Sequence, residues 1–169
     1  MYFVLIQLIG AIAYTTIAAS YYKKEKKKIL FLQILAYIFF TIHYYLLSGI
    51  TGVICNLIGL LALIGIYIFD KYKLKNKKLI VSLFVLLLII ANITTFQNIY
   101  SFFPMIASVI SIISFLSDKE NNIRIVGSIS ALCWLIYAIV YKSYITIFFE
   151  VVTLIITLIA LIKNKSKTN

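Results

Sequence analysis

The residue best suited to chemistry in this chain is Glu150, an acidic side chain set deep in an apolar segment. A gapless shift of the sequence by 94 positions brings Asn56 under it. Inside hydrocarbon, an ionisable or amide side chain costs about 2.5–3.5 kcal/mol by insertion scales, so it usually faces a cavity, a partner or a pathway. The pair therefore predicts a polar site built at one depth by two related halves of the chain.

Threonines accompany Glu150 along its segment at helical spacing, at positions 146, 153 and 157, which sets all four residues on one face. The corresponding positions in the first half are Gly52, Asn56, Gly59 and Leu63. For the threonines we favour a packing seam with interhelical hydrogen bonds. For Glu150 we favour function, because a structural carboxylate requires a cation and neither Lys nor Arg lies at its depth.

Aromatic residues follow the same offset, because Trp134 and Tyr137 align with Phe40 and His43. Aromatic faces above a polar floor suit a sugar ring or another planar polar solute, whose hydroxyls then reach the amide and the carboxylate. A neighbouring polar-aromatic face carries Gln33, Tyr37, Thr41 and Tyr44. For the outer tyrosines at 44, 45, 141 and 144 we favour an interface belt instead. The predicted solute site comprises Asn56, Glu150, His43, Tyr137, Phe40 and Trp134.

His43 is the single histidine of the chain, so neither a metal site nor a cofactor is expected. It is either a hydrogen-bonded residue of the helix bundle, a proton carrier or a partner of Glu150. The sequence contains no nucleophile motif, metal-ligand spacing or phosphate loop, and we do not expect an enzyme.

Composition identifies the broad class of protein. Of 169 residues, 63% are hydrophobic and 12% charged, and the mean hydropathy is +1.06. A soluble domain of this size does not have such a composition, so we expect an integral membrane protein. The formal charge of +11 comes from short lysine runs between apolar stretches. These runs indicate topology and contact with anionic lipid headgroups rather than binding to nucleic acid.

Apolar stretches of about 20 residues are long enough to span a bilayer. Charged and small residues divide the sequence into seven such stretches. Fifteen of the 16 lysine and arginine residues then lie on one side, and Lys142 alone lies on the other. This asymmetry predicts the N-terminus outside and the C-terminus inside. The predicted spans are 2–22, 29–47, 51–69, 79–95, 101–116, 123–141 and 144–162.

The spans divide into two three-helix repeats, 1–73 and 101–167, and residues 7–73 align with 101–167 without a gap at the 94-residue offset. Because three spans is an odd number, a linker helix at 79–95 is needed for the repeats to insert in parallel. The fold class is therefore an all-α membrane protein of seven transmembrane helices in a 3+1+3 arrangement. Pro104 and its counterpart Gly10 are candidate hinges, although static packing explains them equally well.

Several runs together resemble the YgjV-type bacterial inner membrane proteins over essentially the whole chain. They are Leu32-Gln33, Ala36-Tyr37, His43-Tyr44-Tyr45-Leu46-Leu47 before Gly49, Asn56, Phe103-Pro104, Trp134 and Glu150. That family is similar in helix plan to SWEET and SemiSWEET sugar facilitators and to PQ-loop proteins, which have an asparagine on the third helix of each repeat. The resemblance places Asn56 and Glu150 at those asparagines, and Phe40 and Trp134 at the aromatic positions. The chain departs from the pattern in lacking a Pro-Gln dipeptide and in carrying Gly10 and Glu150.

The resemblance implies a SWEET-like carrier in the bacterial inner membrane, in which two helix bundles rock around a central site for a small polar solute. The alternative is a non-transporting membrane scaffold or accessory protein whose polar seam only joins helices. The sequence leaves a homo-oligomer open.

Overall fold

The computed structural model describes residues 2–23, 25–117 and 120–165, with side chains for these ranges apart from 21, 120–125 and 156–165. The described residues form seven α-helices and one short 3-10 helix, which confirms the predicted all-α class. The 3-10 helix, Ile99–Ser101, leads directly into α5. The α-helices are α1 Tyr2–Tyr21, α2 Lys26–Leu46, α3 Ile50–Tyr72, α4 Lys77–Thr94, α5 Phe102–Ser114, α6 Glu120–Val140 and α7 Tyr144–Lys165.

Each predicted span matches one α-helix of the structure, and its first and last residues lie within three residues of the ends of that helix. Within the described residues, α1 to α4 are long and apolar enough to cross a membrane. The later helices contain shorter apolar stretches, Ile99–Ser114, Val126–Val140 and Tyr144–Ile155. The side chains of Thr157 and of several basic residues used to predict orientation lie outside the described part: Lys24, Lys119, Arg124, Lys163, Lys165 and Lys167.

Two tight turns connect α2 to α3 and α6 to α7, and they have the same conformation. Ser48 and Lys142 both have a left-handed backbone, with φ of 59° and 54°. In each turn the next residue donates its N–H to a carbonyl five residues back, from Gly49 to Tyr44 and from Ser143 to Ala138, both at 2.9 Å. Such bonds satisfy carbonyls that a helix end leaves free. We call the end of the molecule that carries both turns the hairpin end.

Six helices contact one another in a closed sequence around the centre of the molecule. α1 contacts α2 and α7, α2 contacts α3, α3 contacts α5, α5 contacts α6, and α6 contacts α7. α4 contacts α3 and α5. Most of the described side chains of α4 are exposed, and Val81, Leu88 and Asn92 are its buried residues. Such an apolar, exposed surface is what a lipid-facing helix presents.

Candidate functional site

A cavity lies between the six helices that close around the centre. About 90 Å³ of it is open to the centres of water molecules, enough for several waters, since a cavity of roughly 10–15 Å³ on this measure holds one. Its lining residues come from all six of these helices, from Tyr44 near the hairpin end to Ile17, Phe115 and Gly127 in the opposite half. They are Tyr14, Ile17, Gln33, Tyr37, Phe40, Tyr44, Asn56, Ser111, Ser114, Phe115, Gly127, Ser130, Trp134, Glu150 and Thr153.

Glu150 reaches this cavity from the second turn of α7 and is 7% exposed. Its Oε1 accepts a hydrogen bond of 2.8 Å from the Tyr14 hydroxyl of α1. The ion pairs that the structure gives among the described residues involve Glu25 and Asp70 instead. The carboxylate is therefore held by a neutral donor, as expected for a residue whose charge is available to a ligand rather than to a structural ion pair.

Asn56 lines the same cavity from α3 and is 3% exposed. Its Nδ2 donates to the carbonyl of Gly52, one turn back, at 2.8 Å. An amide that bonds to its own helix through nitrogen keeps its Oδ1 as an acceptor. The residues that the sequence offset pairs, Asn56 and Glu150, thus share one cavity.

Phe40 and Trp134, the predicted aromatic residues, also line the cavity. Tyr44 lines it as well and is 1% exposed, so its assignment to an interface belt is wrong, whereas Tyr45 and Tyr144 are exposed. Tyr44 is buried because its ring packs against Trp134 and Tyr137, with centroids 5.5 and 5.4 Å away. Composition near a helix end does not distinguish a tyrosine facing lipid from one facing a partner helix.

His43 and Tyr137 are fully buried, and neither belongs to the cavity lining. The Tyr137 hydroxyl accepts the N–H of Gly52 at 2.9 Å, so a residue of α6 satisfies a free donor in the first turn of α3. The Nδ1 of His43 lies 2.8 Å from the carbonyl oxygen of Ile6, and its Nε2 lies 2.7 Å from Ser143 Oγ, next to α7. Both side chains therefore join the two halves of the chain at the hairpin end.

A second pair of contacts joins the halves at the same end. Gln7 of α1 accepts the N–H of Ile145 at 3.1 Å, and Thr51 of α3 donates to Ser101 Oγ at 3.2 Å. These positions correspond at the 94-residue offset, as His43 and Tyr137 do. We call these four contacts, made through Gln7, His43, Ser101 and Tyr137, the hairpin seam. The seam holds the two halves together at the hairpin end.

The candidate hinges lie beside this seam. Gly10 is packed so tightly that an added Cβ would come within 2.5 Å of Ile145 and 2.9 Å of the His43 ring. Pro104 is buried at the third position of α5, in a first turn whose N–H groups need no intrahelical partner. Proline is therefore accommodated there without a break in the helix, and the hinge role stays a prediction.

Gln33 and Tyr37, from the neighbouring polar-aromatic face, also line the cavity, and so does Tyr14, which was not predicted as a site residue. The available signal for Tyr14 was its alignment with Ser108 on a polar face. Among the described residues, no group of three or more His, Cys, Asp or Glu side chains could hold a metal ion.

These features define an all-helical membrane protein with a polar and aromatic cavity between its helices. The family model for Imp-YgjV, described as a bacterial inner membrane protein, matches residues 4–168. The chain belongs to this family, and the bacterial inner membrane is its location. No curated protein and no solved structure matches it.

Proposed function

We propose that this protein is a SWEET-like membrane carrier that moves a small polar solute through the cavity shared by Asn56 and Glu150. The observation that carries the proposal is this shared lining by two polar side chains from different halves of the chain. Burying both groups in a membrane protein is costly, and the cost is understandable if a solute binds between them. Catalysis and nucleic-acid binding form no part of this function.

Two features support a 3+1+3 arrangement of parallel repeats within this proposal. The two turns have a left-handed residue at equivalent positions, Ser48 and Lys142, which are 94 residues apart. The backbone hydrogen bond that follows each of them is equivalent as well. The contacts between helices show the same relation between the repeats. When α1, α2 and α3 are exchanged with α5, α6 and α7, the contact between α3 and α5 corresponds to the contact between α7 and α1, and the structure has both. A pseudo-twofold relation of this kind places a site between the repeats, as in other transporters with internal repeats.

The cavity and the hairpin seam together support alternating access. Among the residues described, the seam closes one end by hydrogen bonds between the halves, while the lining extends toward the other end. The positive-inside rule puts the hairpin end outside, so this conformation is closed to the exterior. Rocking of the halves would break the seam and open the cavity to the opposite side.

Solute uptake into proteoliposomes tests the proposal, with a panel of sugars, nucleosides and small amines, each with and without a proton gradient. Asn56→Ala and Glu150→Ala should each abolish uptake of the same solute while the proteins stay monodisperse. Because the residues share one site, the double variant should be little worse than either single variant. Uptake that survives both substitutions contradicts the shared site, and no uptake of any solute favours a scaffold or accessory role.

A further inference from the structure

The cavity lining combines one carboxylate with many aromatic rings. Apart from Glu150, the described lining residues are neutral. Six of them are aromatic: Tyr14, Tyr37, Phe40, Tyr44, Phe115 and Trp134. Aromatic faces attract cations through the ring quadrupole, most strongly where water is excluded. A single carboxyl group among aromatic rings is a suitable environment for a positively charged ligand.

Several hydrogen-bond donors of the lining are committed to the protein itself. The hydroxyl of Tyr14 donates to Glu150, and the amide of Asn56 donates to the Gly52 carbonyl. Serine hydroxyls do the same: Ser114 donates to the carbonyl of Ser111, and Ser130 to that of Gly127. A hydroxyl whose proton is committed still accepts through its lone pairs. These side chains therefore offer acceptors to a ligand, and acceptors suit a cation.

The volume limits the size of the ligand. About 90 Å³ open to water centres is small beside the roughly 300–1,000 Å³ of pockets for drug-sized ligands. We propose that the solute recognised at Glu150 is a small monovalent organic ammonium ion, held by the carboxylate and by the aromatic rings of Phe40 and Trp134. This inference rests on the proposed carrier function and names its substrate class.

Equilibrium binding of radiolabelled choline to the purified full chain in detergent tests the inference without requiring transport. Unlabelled choline and ethanolamine should displace the label. The competitor 3,3-dimethylbutan-1-ol has the shape of choline without its charge and should not displace it at the same concentrations. Glucose should not displace it either. Displacement by the neutral isostere as effective as that by choline, or no choline binding at all, overturns the inference.

Two substitutions separate the charge from the rings. Glu150→Gln should weaken choline binding on the order of 30-fold or more, because it removes a buried charge partner. Trp134→Leu should weaken choline binding about 2- to 30-fold, because one aromatic ring is lost. This variant tests the site independently if Glu150→Gln fails to fold. The matched control is Glu25→Gln, which neutralises an exposed carboxylate bonded to Lys28 at 2.7 Å and should leave binding unchanged. Parent-like affinity in a folded Glu150→Gln protein overturns the inference.

The two proposals fail in different ways. Choline binding without uptake of any solute supports the cation site and contradicts the carrier. Uptake of a sugar or another neutral solute by a protein that does not bind choline supports the carrier and overturns the cation site.

Discussion

Removing one hydroxyl from the hairpin seam should shift the protein toward a conformation open at that end. In Tyr137→Phe the buried N–H of Gly52 loses its acceptor, while the ring and its packing remain. An unsatisfied buried donor costs about 1–3 kcal/mol. When the seam opens, water can accept from this N–H, so the penalty falls on the closed state alone. The ratio of open to closed protein should then rise about 5- to 150-fold.

Pulsed electron spin resonance between the two turns can measure this ratio. Spin labels at Ser48→Cys and Lys142→Cys sit on the exposed tips of the hairpin end, in a background with Cys55→Ala and Cys133→Ala. The parent should give mainly the shorter distance, and Tyr137→Phe should add or enlarge a longer component.

The control for this experiment is Tyr141→Phe, which removes a hydroxyl at the same end. That hydroxyl donates to Gln97 in an exposed hydrogen bond of 2.7 Å, which water can replace. Its distance distribution should match that of the parent. If Tyr137→Phe also matches the parent, the seam does not control opening and the rocking argument is refuted.

Three further predictions concern topology and packing. Reporter fusions at Ser143 and Asn169 should report opposite compartments, and a common compartment would contradict the seven-span topology. Gly59→Ala should lower the free energy of unfolding by about 1–3 kcal/mol, because the added Cβ would overlap the ring of Tyr37. Gly65→Ala is its control, since the nearest atom lies at 3.4 Å and stability should hold or rise; equal losses would refute the packing explanation. Glu150→Gln should melt no lower than the parent, because a neutral amide is cheaper to bury than a carboxylate and can still accept from Tyr14. A markedly lower melting temperature would make Glu150 a structural residue.

The helices were predictable from the sequence because the length of each apolar stretch and the charged residues between the stretches determine where a membrane-spanning helix begins and ends. The cavity was predictable in part, since the offset linking Asn56 to Glu150 reflects depth within the bundle, and depth is preserved when helices pack. Phe40 and Trp134 followed from the same offset.

The roles of His43 and Tyr137 were not predictable from periodicity. A helical face indicates which residues turn inward, but only the packed structure shows whether an inward residue meets a cavity or the end of another helix. Both meet a neighbouring helix start, where free N–H and hydroxyl groups lie. Tyr14 was missed as a site residue because a tyrosine in an apolar segment has no sequence signal for its partner, Glu150.

Labelling of one cavity residue from both sides of the membrane tests the carrier account most directly, and it requires no knowledge of the solute. Thr153→Cys lines the cavity from α7, in the same background without native cysteines. In oriented vesicles an impermeant maleimide should react with this cysteine from the C-terminal side, and more slowly from the side of the hairpin end. Tyr137→Phe should increase the slower of these two rates. Reaction from one side only, unchanged by Tyr137→Phe, would contradict a carrier whose single site is exposed to each side in turn.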